Sequence, residues 1–228
     1  MRIHPSLIFI KRWQWCCLLF FIQACHSLKK EHNFHDAKKD SLSEEIKINN
    51  ALQLINEAKK MVHSADLILR TGKDFTSDAM RKLSKYDKTY SHCGIASWEN
   101  DTLFVYHALG GDFNPDQKIR RDPFYLFCNP YENRGFGIFR YKLNKNQQRN
   151  TLHFARDYFS KGIMFDMQFN LATDDRMYCS EYVYKIIKKA TAGVIPIHTT
   201  TLNKIVFVAV DNLFINPYCS EIQRTIFR

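Results

Sequence analysis

The sequence predicts one α+β domain behind an export leader, on three observations. Helical periods and short strands are mixed without strict alternation, and the strands are joined by turns too short for crossover helices. At 228 residues, with 45% hydrophobic and 25% charged residues, the chain is long enough for one filled core and has globular proportions. Only its beginning departs from that balance. The first 25 residues carry Arg2, Lys11 and Arg12 and no acid, and run almost wholly apolar from Trp13 to Ala24, which is the layout of a signal peptide.

That apolar stretch is about twelve residues, against roughly 20 for a membrane-spanning helix, so it reads as a cleaved leader over residues 1–24. It ends in "IQAC", with a small residue directly before Cys25, as in the lipobox of bacterial lipoproteins. Cys25 is therefore the expected lipidation site, and 25–42, polar and without period, the tether. His26, His32 and His35 in that tether have no fixed framework to close a metal shell, and no metal or cofactor is expected. Cleavage removes three of the 33 basic residues and none of the 23 acids, leaving +7 of the original +10. Such a charge favours anionic surroundings such as phospholipid headgroups or envelope polymers. Nucleic acid is excluded as a partner by the absence of any zinc-finger, recognition-helix or RNA-binding signature.

The domain is expected over 43–228. Ser41 and Glu44 form a possible capping box, and Ile48, Leu52, Ile55, Ala58 and Val62 recur at helical spacing, predicting a helix over 43–63. "SADLILRTG", 64–72, reads as a strand ending at a glycine turn, and the charged segment 73–88 as partly helical. "SHCGIASW", 91–98, and "TLFVYHAL", 102–109, read as a hairpin around "ENDT". After a loop rich in Asp, Pro and Arg come a strand, 137–143, and a helix, 147–159, stopped by Gly162. A helix opening at Cys179 puts Tyr182, Val183, Ile186, Ile187 and Ala190 on one face, with Lys185, Lys188 and Lys189 toward solvent. "KIVFVAV", 204–210, is an apolar run of strand length.

The hairpin brings two histidines together. If Ser97 pairs with Thr102, His92 faces His107 directly; if Trp98 pairs with Leu103, His92 faces Leu109 and His107 lies on the diagonal. Either even-length turn leaves both on one sheet face, at Cβ separations of about 5 Å or about 7–8 Å. One histidine can then act as base while the other fixes its tautomer. Cys179, at a helix N-terminus, meets a positive dipole end and free N–H groups, which favour thiolate and can hold an oxyanion. Of the remaining cysteines, Cys16 and Cys17 leave with the leader, and an oxidising compartment permits a disulfide among Cys93, Cys128 and Cys219.

The blocks "ADLILR", "YSHCGIA", "VYHA", "GIMFD" and "YCSEYVYKI", from Asp66 to Ile187, resemble the YiiX-like branch of the NlpC-type papain-fold superfamily, the circularly permuted group that includes lecithin retinol acyltransferase. The resemblance implies a permuted papain-like fold, with an antiparallel sheet packed against the helix that carries the cysteine. It implies Cys179 as nucleophile, His92 as general base and acid, and His107 as the third polar residue. Ser180 and Glu181 complete its "CSE" signature, Glu181 supporting the helix start, and Asp166 reads as a wall of the site. Cys93 stands where relatives usually have an apolar residue, and strand alternation points its side chain away from His92. The expectation is a lipid-anchored envelope cysteine hydrolase that cleaves an amide of a murein-type or related peptide. The alternatives are a lipid-directed thiol esterase or acyltransferase, and an idle lipoprotein that binds envelope polymer.

Overall fold

The computed structural model describes residues 42–111 and 114–227. The leader, Cys25 and the tether lie outside them, apart from Leu42. Contacts divide the chain at Lys47, and the unit from Ile48 onward is compact. Helix α1 spans 42–59, and from Ile48 its buried positions are Ile48, Ala51, Ile55 and Ala58, continued by Val62 beyond its end. Leu52, expected on this stripe, is exposed; Ala51 takes the inward position, which suits a close approach to the sheet.

The remaining elements are β1 (Leu67–Gly72), α2 (Phe75–Lys82), β2 (His92–Glu99), β3 (Thr102–His107), β4 (Arg120–Pro123), α3 (Phe124–Phe127), β5 (Asn133–Tyr141), α4 (Lys145–Ser160), α5 (Cys179–Ala190), β6 (Thr200–Leu202), β7 (Ile205–Phe207), α6 (Val210–Phe214) and β8 (Cys219–Ile226). Six strands form one antiparallel sheet in the order β4-β3-β2-β1-β5-β8, and β6 and β7 form a separate hairpin. Alternation along the strands divides the core in two. Leu67, Leu69, Cys93, Ile95 and Tyr106 face α4 and α5, whose Ala155, Tyr182, Val183 and Ile186 complete that layer. Ile68, Ala96, Val105, Phe136 and Ile138 face the opposite way, against α1 and the Phe124 and Phe127 rings of α3. Each large aliphatic or aromatic side chain so buried contributes roughly 1.5–3 kcal/mol before its ordering entropy is charged against it.

Two further expectations are corrected. Lys185 does not face solvent: it is only 7% exposed and pairs with Glu181 at 2.9 Å and Asp174 at 2.8 Å. The run 204–210 is not one strand. Only Ile205–Phe207 pairs, with β6, and Ala209 caps α6, its N–H donating to the Asn212 side chain at 2.8 Å. Among the described residues no helix is long and apolar enough to cross a membrane.

Candidate active site

The hairpin takes the second of the two predicted registers. Trp98 pairs with Leu103 and Ile95 with Tyr106, around a two-residue turn at Asn100 and Asp101, both with positive φ. His107 therefore sits across from Gly94 and diagonal to His92 on the same face. Gly94 makes the diagonal usable. A Cβ there would lie 2.6 Å from the Val105 side chain, 2.7 Å from the Tyr106 carbonyl oxygen and 3.0 Å from the His107 Cβ. Without it the two imidazoles meet at 2.8 Å, His92 Nε2 to His107 Nδ1, their planes at 84° and both rings near Phe127.

A second diagonal continues the row. Strand β4 pairs Arg120 with His107 and Asp122 with Val105, so Asp122 shares the histidine face, and its Oδ2 lies 3.0 Å from His107 Nε2. Arg120 holds the same carboxylate at 2.8 Å. Burial pushes the Asp122 carboxyl up, but hydrogen bonds and charge from His107 and Arg120 hold it below its usual range. An ionised Asp122 accepts from His107 Nε2–H; His107 Nδ1 then accepts from His92 Nε2–H. That leaves the lone pair of His92 on Nδ1. Burial first, then the charges of Arg70, His107 and Arg120, hold His92 far below its usual pKa, so the imidazole is neutral and keeps its free lone pair at this nitrogen. Burial likewise lowers His107 to about 4, against the pull of Asp122.

On the other side of the cleft, Cys179 is the first residue of α5, after an extended Tyr178. The helix start is clamped from several directions. Glu181, fully buried, accepts the Tyr178 N–H at 3.2 Å; Ser180 donates to the Val208 carbonyl at 2.7 Å; the Val208 N–H donates to the Tyr178 hydroxyl at 2.8 Å. Burial lifts the Glu181 carboxyl to about 7 even beside Lys185. Asp166 stands off from the chemistry. It accepts the N–H groups of Gln168 and Asn170 at 2.8 and 2.6 Å, and so shapes the loop that carries Phe165 and Phe169 to the cleft wall.

Strand alternation does turn Cys93 away from His92, into the core beneath α5 against which Cys179 packs. A hydrogen bond with the Cys93 thiol is the largest influence lowering the Cys179 pKa; burial opposes it, and backbone N–H groups of Ser180 and Cys93 assist. Burial raises Cys93, Cys128 and Cys219 instead, the last to about 12. Cys179 is thus the one thiol of these four whose pKa is lowered, and none of the four is bridged. Cys179 and His92 line one cleft of about 510 Å³. Among the described residues no three His, Cys, Asp or Glu side chains are grouped to hold a metal.

Sequence reasoning brought Cys179, His92 and His107 together; the structure sets Cys179 and His92 on this cleft and buries His107 behind His92, joined to it at 2.8 Å. It missed Asp122 and Arg120, which read as loop, and the influence of Cys93 on Cys179. The even spacing of His107 from its strand partners was the one signal that could have led across to β4.

No curated protein matches the sequence. In fold the chain is similar to yiiX from Escherichia coli O157:H7, whose crystal structure is described as that of a metalloprotein, at a TM-score of 0.59 and 19% identity over 72% of this chain and 98% of that one. The family model described as permuted papain-like amidase enzyme, YaeF/YiiX, C92 family, matches residues 61–215, a span that contains both strands of the histidine pair, the Asp122 strand and the cysteine helix, and the chain belongs to that family.

Proposed function

We propose that the protein hydrolyses an amide through a thioester on Cys179, with His92 as base and His107 and Asp122 as the groups that orient it. The observation that carries this is the hydrogen-bonded row Asp122–His107–His92, which leaves one basic nitrogen free on a cleft shared with the only thiol of the four that is held low. His92 Nδ1 takes the thiol proton, and the sulfur attacks the carbonyl carbon. N–H groups in the first turn of α5 hold the oxyanion, and the departing amine receives the proton from His92. Water, deprotonated by the same nitrogen, then cleaves the thioester to a carboxylic acid and restores the thiol.

The setting belongs to the same proposal. The charged and apolar leader and the small residue before Cys25 support a protein anchored to the cell-envelope membrane by a lipid on Cys25, where murein-type peptides are at hand. Cys25→Ala would release the mature domain to the soluble fraction; continued membrane association after cleavage would overturn the anchor. For the chemistry, a slowly released activated amide should add its acyl mass to Cys179 and to no residue of the Cys179→Ala protein. Acyl mass on Cys93, or none on the folded protein, would overturn the assignment.

A further inference from the structure

Strand β1 extends the Asp122–His107–His92 row by one more side chain. Arg70 pairs across the sheet with His92, so the two stand opposite one another on the same face, Cβ atoms about 5 Å apart. The Arg70 guanidinium lies 5.0 Å from the centre of the Phe127 ring that also floors both histidines, and it lines the cleft. The carboxylates of this region are engaged elsewhere. Asp122 is held by His107 and Arg120, and Asp74, which shares the cleft lining, accepts the N–H and hydroxyl of Ser77 at 2.8 and 2.7 Å. Among the described residues no carboxylate pairs with Arg70; its hydrogen bond is a long one, from Nη1 to the Phe127 carbonyl at 3.4 Å, and its Nε is buried with no acceptor. Burial accordingly lowers its pKa from the ordinary arginine value. Charged groups withdrawn from water are ordinarily paired, since an unpaired one gives up its hydration without return.

We infer that Arg70 receives a free carboxylate on the amine half of the substrate, carried by the carbon next to the departing nitrogen. The inference rests on the thioester reading given above and names its substrate class: the last amide of a peptide, or the amide of an N-acyl amino acid. His92 fixes the side. Its Nδ1 delivers the proton to the leaving nitrogen, and Arg70 flanks His92 on the side away from His107, so the groups attached to that nitrogen are those brought within its reach. A guanidinium presents parallel N–H donors to a carboxylate, a geometry that neither an ammonium nor a neutral amide reproduces. In the reaction the S–C bond forms, the C–N bond breaks, and the proton on His92 passes to the nitrogen. A free α-amino acid leaves with its carboxylate on Arg70, and water then releases the acyl group as a carboxylic acid. A peptide that continued past the scissile amide would put a neutral carbonyl in that place and leave the guanidinium unpaired.

The test compares N-benzoyl-alanine with its carboxamide and with N-benzoyl-β-alanine, whose carboxylate stands one carbon further out. Affinity is measured with the Cys179→Ala protein, apart from turnover, and amine release with the intact protein. N-benzoyl-alanine should bind about tenfold tighter, or more, than either of the others. Arg70→Met, which keeps an apolar stem over Phe127, should bring the acid-to-carboxamide ratio near one, and Arg70→Lys, which keeps the charge without the fork, should leave it in between. Circular dichroism and urea unfolding check that both variants fold. Equal affinity for acid and carboxamide, or no binding of the acid, overturns the inference. So does a loss in Arg70→Met that falls on both compounds alike, because Arg70 would then only prop the Phe127 and His92 rings. Tighter binding of the β-alanine compound overturns the placing of the carboxylate beside the nitrogen. An acid preference that Arg70→Met abolishes, with no amine release and no acylated Cys179 in the intact protein, would overturn the amide reading and leave the carboxylate site standing.

Discussion

The two faces of β2 build different halves of the site by different means. On one, His92 belongs to a row in which each ring nitrogen but one has a partner, closed at Asp122 and Arg120 and floored by the Phe127 ring. On the other, Cys93 supports a single sulfur with one weak thiol donor and backbone N–H groups. The histidine face gains its chemistry from orientation and the cysteine face from stabilisation of charge. Neighbouring residues of one strand can serve both because they stand at its start, where His92 lines the cleft and Cys93 lies in the core beneath α5.

The comparison breaks most completely if either half is removed. His92→Ala should lower single-turnover acylation about as far as Cys179→Ala, by roughly 10³-fold or more, because losing one member disables the unit. His107→Asn should retain more activity than His107→Ala, since an amide can still accept from His92 Nε2–H. Equal rates for these two His107 variants would mean that His107 orients nothing.

Asp122 sharpens the histidine side. Asp122→Leu leaves His107 Nε2–H without its acceptor, frees the tautomers and should cost about 10²-fold in acylation. Asp122→Asn, whose carbonyl oxygen can take the same hydrogen bond, should lie between it and the native protein. Alkylation of Cys179 at high pH should be unchanged in both, because the thiol there needs no base. A loss of alkylation together with turnover would show that Asp122 holds the fold rather than the imidazole.

The same face carries a stability cost on the acid side. His107 is lowered from 6.5 to about 4, and His92 also falls, so below pH 6.5 the unfolded chain takes up protons that the native protein refuses. The contribution of the histidines is complete above about 6.5 and declines as the pH falls toward 4, with His107 alone contributing a loss of ~3 kcal/mol, opposite in sign to that of Glu181, whose carboxyl is raised to about 7. Urea unfolding at pH 7 and pH 4.5 should show a smaller drop for His107→Gln than for the native protein. A parallel drop in both would place the acid sensitivity elsewhere.

The smallest effect belongs to the cysteine face. Cys93→Val fills a similar volume and should cost less than about 1.5 kcal/mol in stability. Without the thiol hydrogen bond the Cys179 pKa should rise, so the pH of half-maximal iodoacetamide labelling should move upward and labelling near neutrality should slow. An unmoved profile would assign the lowered pKa to the helix N-terminus alone.

The hairpin was legible in the chain because an even turn and a period of two fix the face of every residue. Only the choice of register needed the Asn100–Asp101 turn. The permuted papain-like class was legible in the order of its motif blocks. Asp122 was not, since a four-residue strand within "RRDP" has no period to read and its partner histidine lies one diagonal away. Lys185 misled because one basic residue among three on a helix reads as solvated, and only the fold brings Asp174 over it and Glu181 beneath it. The run 204–210 misled because apolarity alone does not separate a strand from an extended segment that caps a helix.

Cys93 has a consequence for the order of events during folding. The thiol that most lowers the Cys179 pKa comes from a strand synthesised long before α5, and it acts only after the helix docks on the sheet. Pairings so distant in sequence form late, because loop closure must precede their gain. Until then Cys179 is an ordinary thiol in an unfinished chain, no readier to react than its neighbours. The Cys179 pKa thus falls fully only at a late step of assembly, and the time at which neutral-pH labelling first discriminates Cys179 during refolding is the time at which the helix seats.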